Sequence, residues 1–319
     1  MEQGLYENFV SALKAKVSKK SELVQVLADM LRIERESVYR RLRGDVPFTL
    51  IEAFTVARNL GVSLDEVGSS LADKRPLYVE LSLFRNANGI QYNKLEAMSS
   101  KILALSEHPD SEHAEALSSI SPFLWPQYPM LLTYYSFREL YQYSPPHAHV
   151  HMEDVKIPER LVELQSVFLE AMNNFKTTYY IWDNSIIGEL VNDIKYFESI
   201  RLIKKESIAA LKDELRGFLN QLEDMAVRGK LHGTDNKFEL YVSNVDIDMT
   251  YSYFWSPNAC ISTFLTFIVR SAATLNRETC MSIKDWVKSL KRVSTLISEA
   301  GEKERILFFE RQHQILDTL

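Results

Sequence analysis

Residues 21–44 read SELVQVLADMLRIERESVYRRLRG, and their apolar spacing leaves few folds open. Leu23, Leu27, Met30 and Leu31 recur at helical spacing, with Val24 and Ala28 beside them. Val38 and Leu42 form a second, narrower stripe four residues apart. The pattern predicts two short helices joined by a tight turn. Five arginines, Arg32, Arg35, Arg40, Arg41 and Arg43, accompany the second helix, against only Glu34 and Glu36. A short helix with two inward aliphatics and a guanidinium-rich outer face fits a DNA major groove, where arginine forks onto guanine edges or pairs with phosphates.

The flanking residues extend the pattern. Gly44 suits a left-handed helix end, and Asp45-Val46-Pro47 breaks the chain after it. Thr49 with Glu52, and Ser63 with Glu66, are capping boxes that open two further helices. The first of these is expected to turn Leu50, Phe54, Ala57 and Leu60 inward and to end at Gly61. A preceding helix over 5–17 carries Leu5, Phe9, Val10, Leu13 and Val17 on one face.

This order resembles the lambda-repressor/Cro-type helix-turn-helix domains of bacterial transcription regulators. The matching positions are Leu27-Ala28, Leu31, Ile33, Val38, Arg40, Arg43-Gly44 and the segment 57–67. Arg32 stands where the family usually has a turn glycine, and Glu34 where it usually has a serine or threonine cap. The resemblance covers residues 5–68 and implies a five-helix DNA-binding domain. It places Arg35, Glu36, Ser37, Tyr39 and Arg40 toward the groove, with Arg41, Arg43 and Lys20 or Lys19 on phosphates. Two such modules double a small interface, so a homodimer is expected. The competing reading is a protein-interaction or signalling scaffold that keeps this shape without binding DNA.

Charge is partitioned in the same sense. Residues 1–75 hold 12 Lys+Arg and 11 Asp+Glu, a net of +1, while the remainder hold 25 and 32, a net of −7. Attraction for DNA should therefore be local to the second helix of the motif. Cys260 and Cys280 give neither a zinc spacing nor a disulfide framework, so reduced thiols and a cytoplasmic setting are expected. The amphipathic start shows no signal peptide, and prolines interrupt the uncharged run 116–137, so no membrane span is expected.

Residues 69–76 read as a linker, which leaves 1–68 and 77–319 as domains. The second domain is expected to be mostly helical and to serve oligomerisation and sensing, with a small-molecule or protein effector as the candidate signal. Helices are expected over 94–105, 111–120, 129–143, 158–182, 184–200, 206–228, 282–297 and 302–319. Alternation predicts a strand near 77–83 and a β-hairpin of 237–243 with 249–256. Residues 259–270 fit either a strand or a helix. The fold class is thus mostly α, a five-helix N-terminal domain plus a larger helical domain with one small antiparallel hairpin.

Two further features admit a site. His147, His149 and His151 alternate in a proline-started loop and could share a metal with Glu153 or Asp154; the plain alternative is a hydrated loop. The aromatic density of 123–143, with Tyr179, Tyr180, Trp182, Tyr251, Tyr253 and Trp255, fits either a ligand pocket or a core or interface. No nucleophile elbow, Walker loop, dinucleotide fingerprint or HExxH occurs, so neither an enzyme nor a cofactor is expected.

Overall fold

A computed structural model describes residues 2–17, 19–62, 64, 67, 80–81, 92–145, 150–266 and 271–319. The chain divides into two compact units, Met1–Leu77 and Tyr78–Leu319. The expected linker 69–76, and most of the expected strand 77–83 and of the expected fifth helix, lie outside the described residues.

Among the described residues of the first unit, four helices of known extent surround one apolar centre: α1 Glu2–Lys16, α2 Lys20–Leu31, α3 Arg35–Arg43 and α4 Leu50–Leu60. Leu13, Leu23, Leu27, Val38 and Val56 fill that centre. Arg32 ends α2 in the left-handed region at φ 53°, its N–H on the Ala28 carbonyl. That conformation favours glycine, so the non-glycine residue here carries some backbone strain. Gly44 closes α3 at φ 83°, where an L side chain is disfavoured. The Thr49–Glu52 capping box forms in full.

One expectation for α4 is corrected. Val56 and Ala57 are buried and Ala53 and Leu60 pack partly against the core, whereas Leu50 and Phe54 face solvent. The inward stripe is therefore 53, 56, 57 and 60. The capping box and a clamp from α3 to Glu52, described below, fix that rotation.

The mostly helical expectation for the second unit is overturned by an eight-stranded mixed sheet, in the order β1-β7-β6-β5-β2-β3-β4-β8. The strands are β1 Glu80–Leu81, β2 Glu112–Leu117, β3 Thr177–Trp182, β4 Lys237–Ser243, β5 Tyr251–Trp255, β6 Cys260–Leu265, β7 Ser271–Thr274 and β8 Ser294–Leu296. β2, β3 and β4 are parallel; all other pairings are antiparallel. The helices are α5 Tyr92–Ser106, α6 Pro129–Tyr143, α7 Glu159–Asn174, α8 Ile186–Ser199, α9 Lys205–Arg228, α10 Arg277–Leu290 and α11 Glu302–Asp317.

One expected helix is a strand, and another ends early and is followed by a strand. Residues 112–117 were read within a helix, and 177–182 as the end of one, because both strands are buried on both faces. β3, TTYYIW, therefore lacks alternation, whereas β2, EHAEAL, buries His113 and Glu115 as a mutually bonded pair 3.0 Å apart, so its polar residues hide a strand interior. The expected hairpin is also corrected: β4 pairs with β3 and β8, and β5 pairs with β2 and β6, so the two never meet. The helix expected over 282–297 starts earlier, where the Asn276 side chain caps the Thr279 N–H at 2.9 Å, and yields to β8.

The three parallel strands are laid down in one direction across the sheet. Crossovers of one hand must then place their helices on one face. That face carries Tyr180, Trp182, Phe238, Leu240 and Val242 under α6, α8, α9 and α11. The other face carries Ala114, Ala116, Tyr179, Ile181 and Tyr253 under Cys280, Val287 and Leu290 of α10. At the start of α11, a Cβ on Gly301 would lie 2.5 Å from the Leu296 carbonyl oxygen, so the turn from β8 requires glycine.

Under α10 the packing is partly ionic. The Lys284 ammonium lies 3.0 Å from Glu112 and 3.4 Å from the centre of the Trp255 ring. Tyr253 donates to the same carboxylate at 2.5 Å. Burial raises the Glu112 pKa, but the bonds from Tyr253 and Lys284 more than reverse that and leave it lowered. Cys260 and Cys280 form a disulfide from β6 to α10, with Cα atoms 6.0 Å apart, which corrects the expectation of two free thiols.

Candidate nucleic-acid interface

α3 buries Val38 and Leu42 and exposes Arg35, Glu36, Arg40 and Arg43, with Ser37 and Tyr39 half-buried. Its inward aliphatics sit four residues apart; of the residues between them only Arg40 is exposed, while Tyr39 packs partly against the core and Arg41 turns toward α4. Three arginines in its last turn also complement the helix dipole.

The cations are held differently. Arg35 donates to the side-chain oxygen of Gln25 in α2, and Gln25 in turn donates to Asp29 at 2.8 Å. This ties the start of α3 to the preceding helix. Arg43 donates to Asp45 at 2.8 Å and lies 3.6 Å from Glu36; the bond from Asp45 raises its pKa. Arg40 is exposed and forms no ion pair among the described residues. Lys19 is exposed at the cap position of α2, whereas the side chain of Lys20 lies outside the described residues.

Arg41 stands apart from the others. Its guanidinium grips Glu52 through Nε at 3.1 Å and Nη2 at 2.7 Å, and the two side chains are only 15% and 18% exposed. Those bonds draw the Glu52 pKa down. The geometry assigns Arg41 to fastening α3 to α4. The resemblance groups Arg41 with the phosphate contacts, because a solvated arginine and a clamping one look the same in sequence. Gln25, Asp29 and Glu52 were not singled out as partners of the motif, and only the capping-box spacing marked Glu52.

Elsewhere, His147 and His149 lie outside the described residues. His151 precedes a short turn in which Glu153 accepts from Ser207 at 2.6 Å and from the Lys204 N–H at 2.9 Å. No group of three His, Cys, Asp or Glu residues that could hold a metal occurs among the described residues. The aromatic belt is largely core: Tyr134, Tyr135, Phe137, Tyr179 and Trp182 are buried, and Trp125 stacks on Tyr135 at 3.8 Å. A cavity of about 40 Å³ lies between Phe123, Tyr128, Met172, Tyr180, Phe218 and Leu222. That is room for roughly two or three waters, too little for a metabolite without movement. No helix among the described residues is long and apolar enough to cross a membrane.

No protein family, curated protein or solved structure matches the chain.

Proposed function

We propose that the chain is a DNA-binding transcription regulator of the lambda-repressor/Cro type, which reads duplex DNA with α3. The observation that carries this reading is the division of α3: Val38 and Leu42 anchor it, and its outer face presents Arg35, Arg40 and Arg43. The turn before α3 passes through Arg32 and the one after it through Gly44, both in the left-handed region. In this reading Arg40, which forms no ion pair among the described residues, contacts base edges or phosphate, with Arg35, Glu36, Ser37 and Tyr39 beside it. Arg43 and Lys19 or Lys20 serve phosphates. Arg41 contributes by holding α3 in place. The protein acts in the cytoplasm as a homodimer, and the second unit supports dimerisation and response to an effector.

The test is selection of bound fragments from a random duplex library by the full-length protein near physiological salt. The expected result is an enriched motif with two half-sites about one helical turn apart. No enrichment by folded protein, with or without cell metabolites added, rejects the reading.

A further inference from the structure

Next to the cavity of the second unit, β2 buries a polar atom that the fold leaves unused. His113 and Glu115 are fully buried, two residues apart on one face of β2. The Tyr253 carbonyl accepts from His113 Nδ1 at 3.0 Å, so that nitrogen carries a hydrogen. His113 Nε2 and Glu115 Oε1, 3.0 Å apart, then share one more, and the pair as a whole is neutral. The second Glu115 oxygen, Oε2, is buried and has no hydrogen-bond partner among the described residues. Tyr180 stands opposite Glu115 in the β2–β3 ladder, and its ring lies edge-on to His113 with centres 6.1 Å apart. The same Tyr180 lines the cavity. A buried acceptor without a donor is costly, and one beside a cavity calls for a bound donor.

We propose that this cavity binds a small, neutral aromatic molecule whose single N–H or O–H donates to Glu115 Oε2. That such a molecule is the regulator's effector rests on the function proposed above; the binding itself does not. The walls select an aromatic body, since Phe123, Tyr180 and Phe218 line the space with Leu222. Charge selects a neutral one. No carboxylate, lysine or arginine lines the cavity among the described residues, and His113 and Glu115 already balance each other. An ionised ligand would therefore be buried without a counter-charge. The orphaned oxygen selects the donor. Room comes from two adaptable walls. Met172 and Met225 line the cavity, and an unbranched thioether changes rotamer at little cost. On the exposed side, the Gln221 amide accepts from Tyr128 at 2.5 Å but reaches Gln127 only at 3.4 Å, long for a hydrogen bond. Parting that weak contact and turning the methionines enlarges the present 40 Å³ to admit one or two rings.

The experiment is calorimetric titration of the full-length protein, without DNA, with indole and with phenol. Indene and toluene serve as counterparts of the same shapes without the donor. The expected result is saturation of one site per chain by indole or phenol, with the donor-free counterpart about tenfold weaker. Leu222→Phe, which fills the cavity, abolishes binding while circular dichroism stays unchanged. Glu115→Gln keeps the preference for the donor, since its amide N–H serves His113 and its carbonyl replaces Oε2, whereas Glu115→Leu loses the preference. Should one variant not fold, the other and the ratio to the counterpart decide. No saturation by either donor at millimolar concentration overturns the inference. So does equal affinity for the counterpart, binding that survives Leu222→Phe, or a preference that survives Glu115→Leu. Failure of the duplex selection rejects the proposed function alone, because no DNA enters the titration.

Discussion

Arg41 and Glu52 form a two-pronged ion pair between α3 and α4, and the same Glu52 carboxylate accepts the Thr49 N–H at 2.9 Å. One carboxylate thus caps a helix and holds its neighbour. Arg41→Ala and Glu52→Ala should each destabilise the first unit by about 1–3 kcal/mol. The double variant should cost clearly less than the two single losses combined, because either change already breaks the pair. Urea unfolding followed by circular dichroism measures all three; strictly additive losses would show that the pair is energetically idle.

Arg40 should behave in the opposite way. Exposed and without an ion pair among the described residues, it holds nothing in the fold. Arg40→Ala should leave the melting temperature in place and weaken binding to the selected duplex by about 1–3 kcal/mol if it forks onto a base. A phosphate contact would instead weaken every sequence alike and lower the salt slope by about one. Titration at several salt concentrations tells these apart, and unchanged affinity removes Arg40 from the interface.

Lys284 tests the ionic packing under α10. Its side chain is buried beside Glu112, so Lys284→Ala leaves a carboxylate without its closest cation and should destabilise the second unit by about 3–5 kcal/mol. Exchange of the pair for Lys284→Met with Glu112→Leu should recover most of that loss, since apolar replacement of a buried pair is often neutral. Thermal melts of the three proteins decide the matter; a Lys284→Ala protein as stable as the parent would count against it.

Acid should loosen the sheet at β4. Burial raises the Glu239 pKa, yet the bonds from Lys237, Lys291 and Tyr241 outweigh it and bring it to about 2. A carboxylate lowered on folding stabilises fully above its unfolded pKa and loses that contribution as the pH falls through its folded value. Stability should therefore decline between about pH 4.5 and about pH 2, and Glu239→Gln should flatten this limb. Denaturant midpoints across that range provide the check.

The first unit was legible because its punctuation is local. Thr49, Glu52, Gly44 and Gly61 act on backbone within a few residues of themselves, so spacing alone announces them. The sheet was not legible, because its pairings join residues far apart in the chain. Glu112 pairs with Thr177 on one side and Trp255 on the other, and no window of sequence contains all three. β3 shows the difficulty most plainly. Its run TTYYIW follows a true helix and lacks alternation, because Tyr179 and Ile181 enter one core while Tyr180 and Trp182 enter the other. The exposed arginines were legible as cations. Which of them is free and which is a clamp was not, because Glu52 reaches Arg41 only after α4 has folded back on α3.

Among the described residues, β1 enters the sheet through two residue pairs, Glu80 with Ala273 and Leu81 with Ala272. Its partner β7 runs on through the Thr274 hydroxyl, which accepts the Asn276 N–H, into α10, and a disulfide fastens α10 to β6. The two ends of this arrangement therefore differ in mechanical strength. Tension on β1 meets, among the described residues, two rungs of backbone pairing. Tension on α10 meets a covalent bond. The covalent tie thus lies between β6 and α10, two strands away from β1.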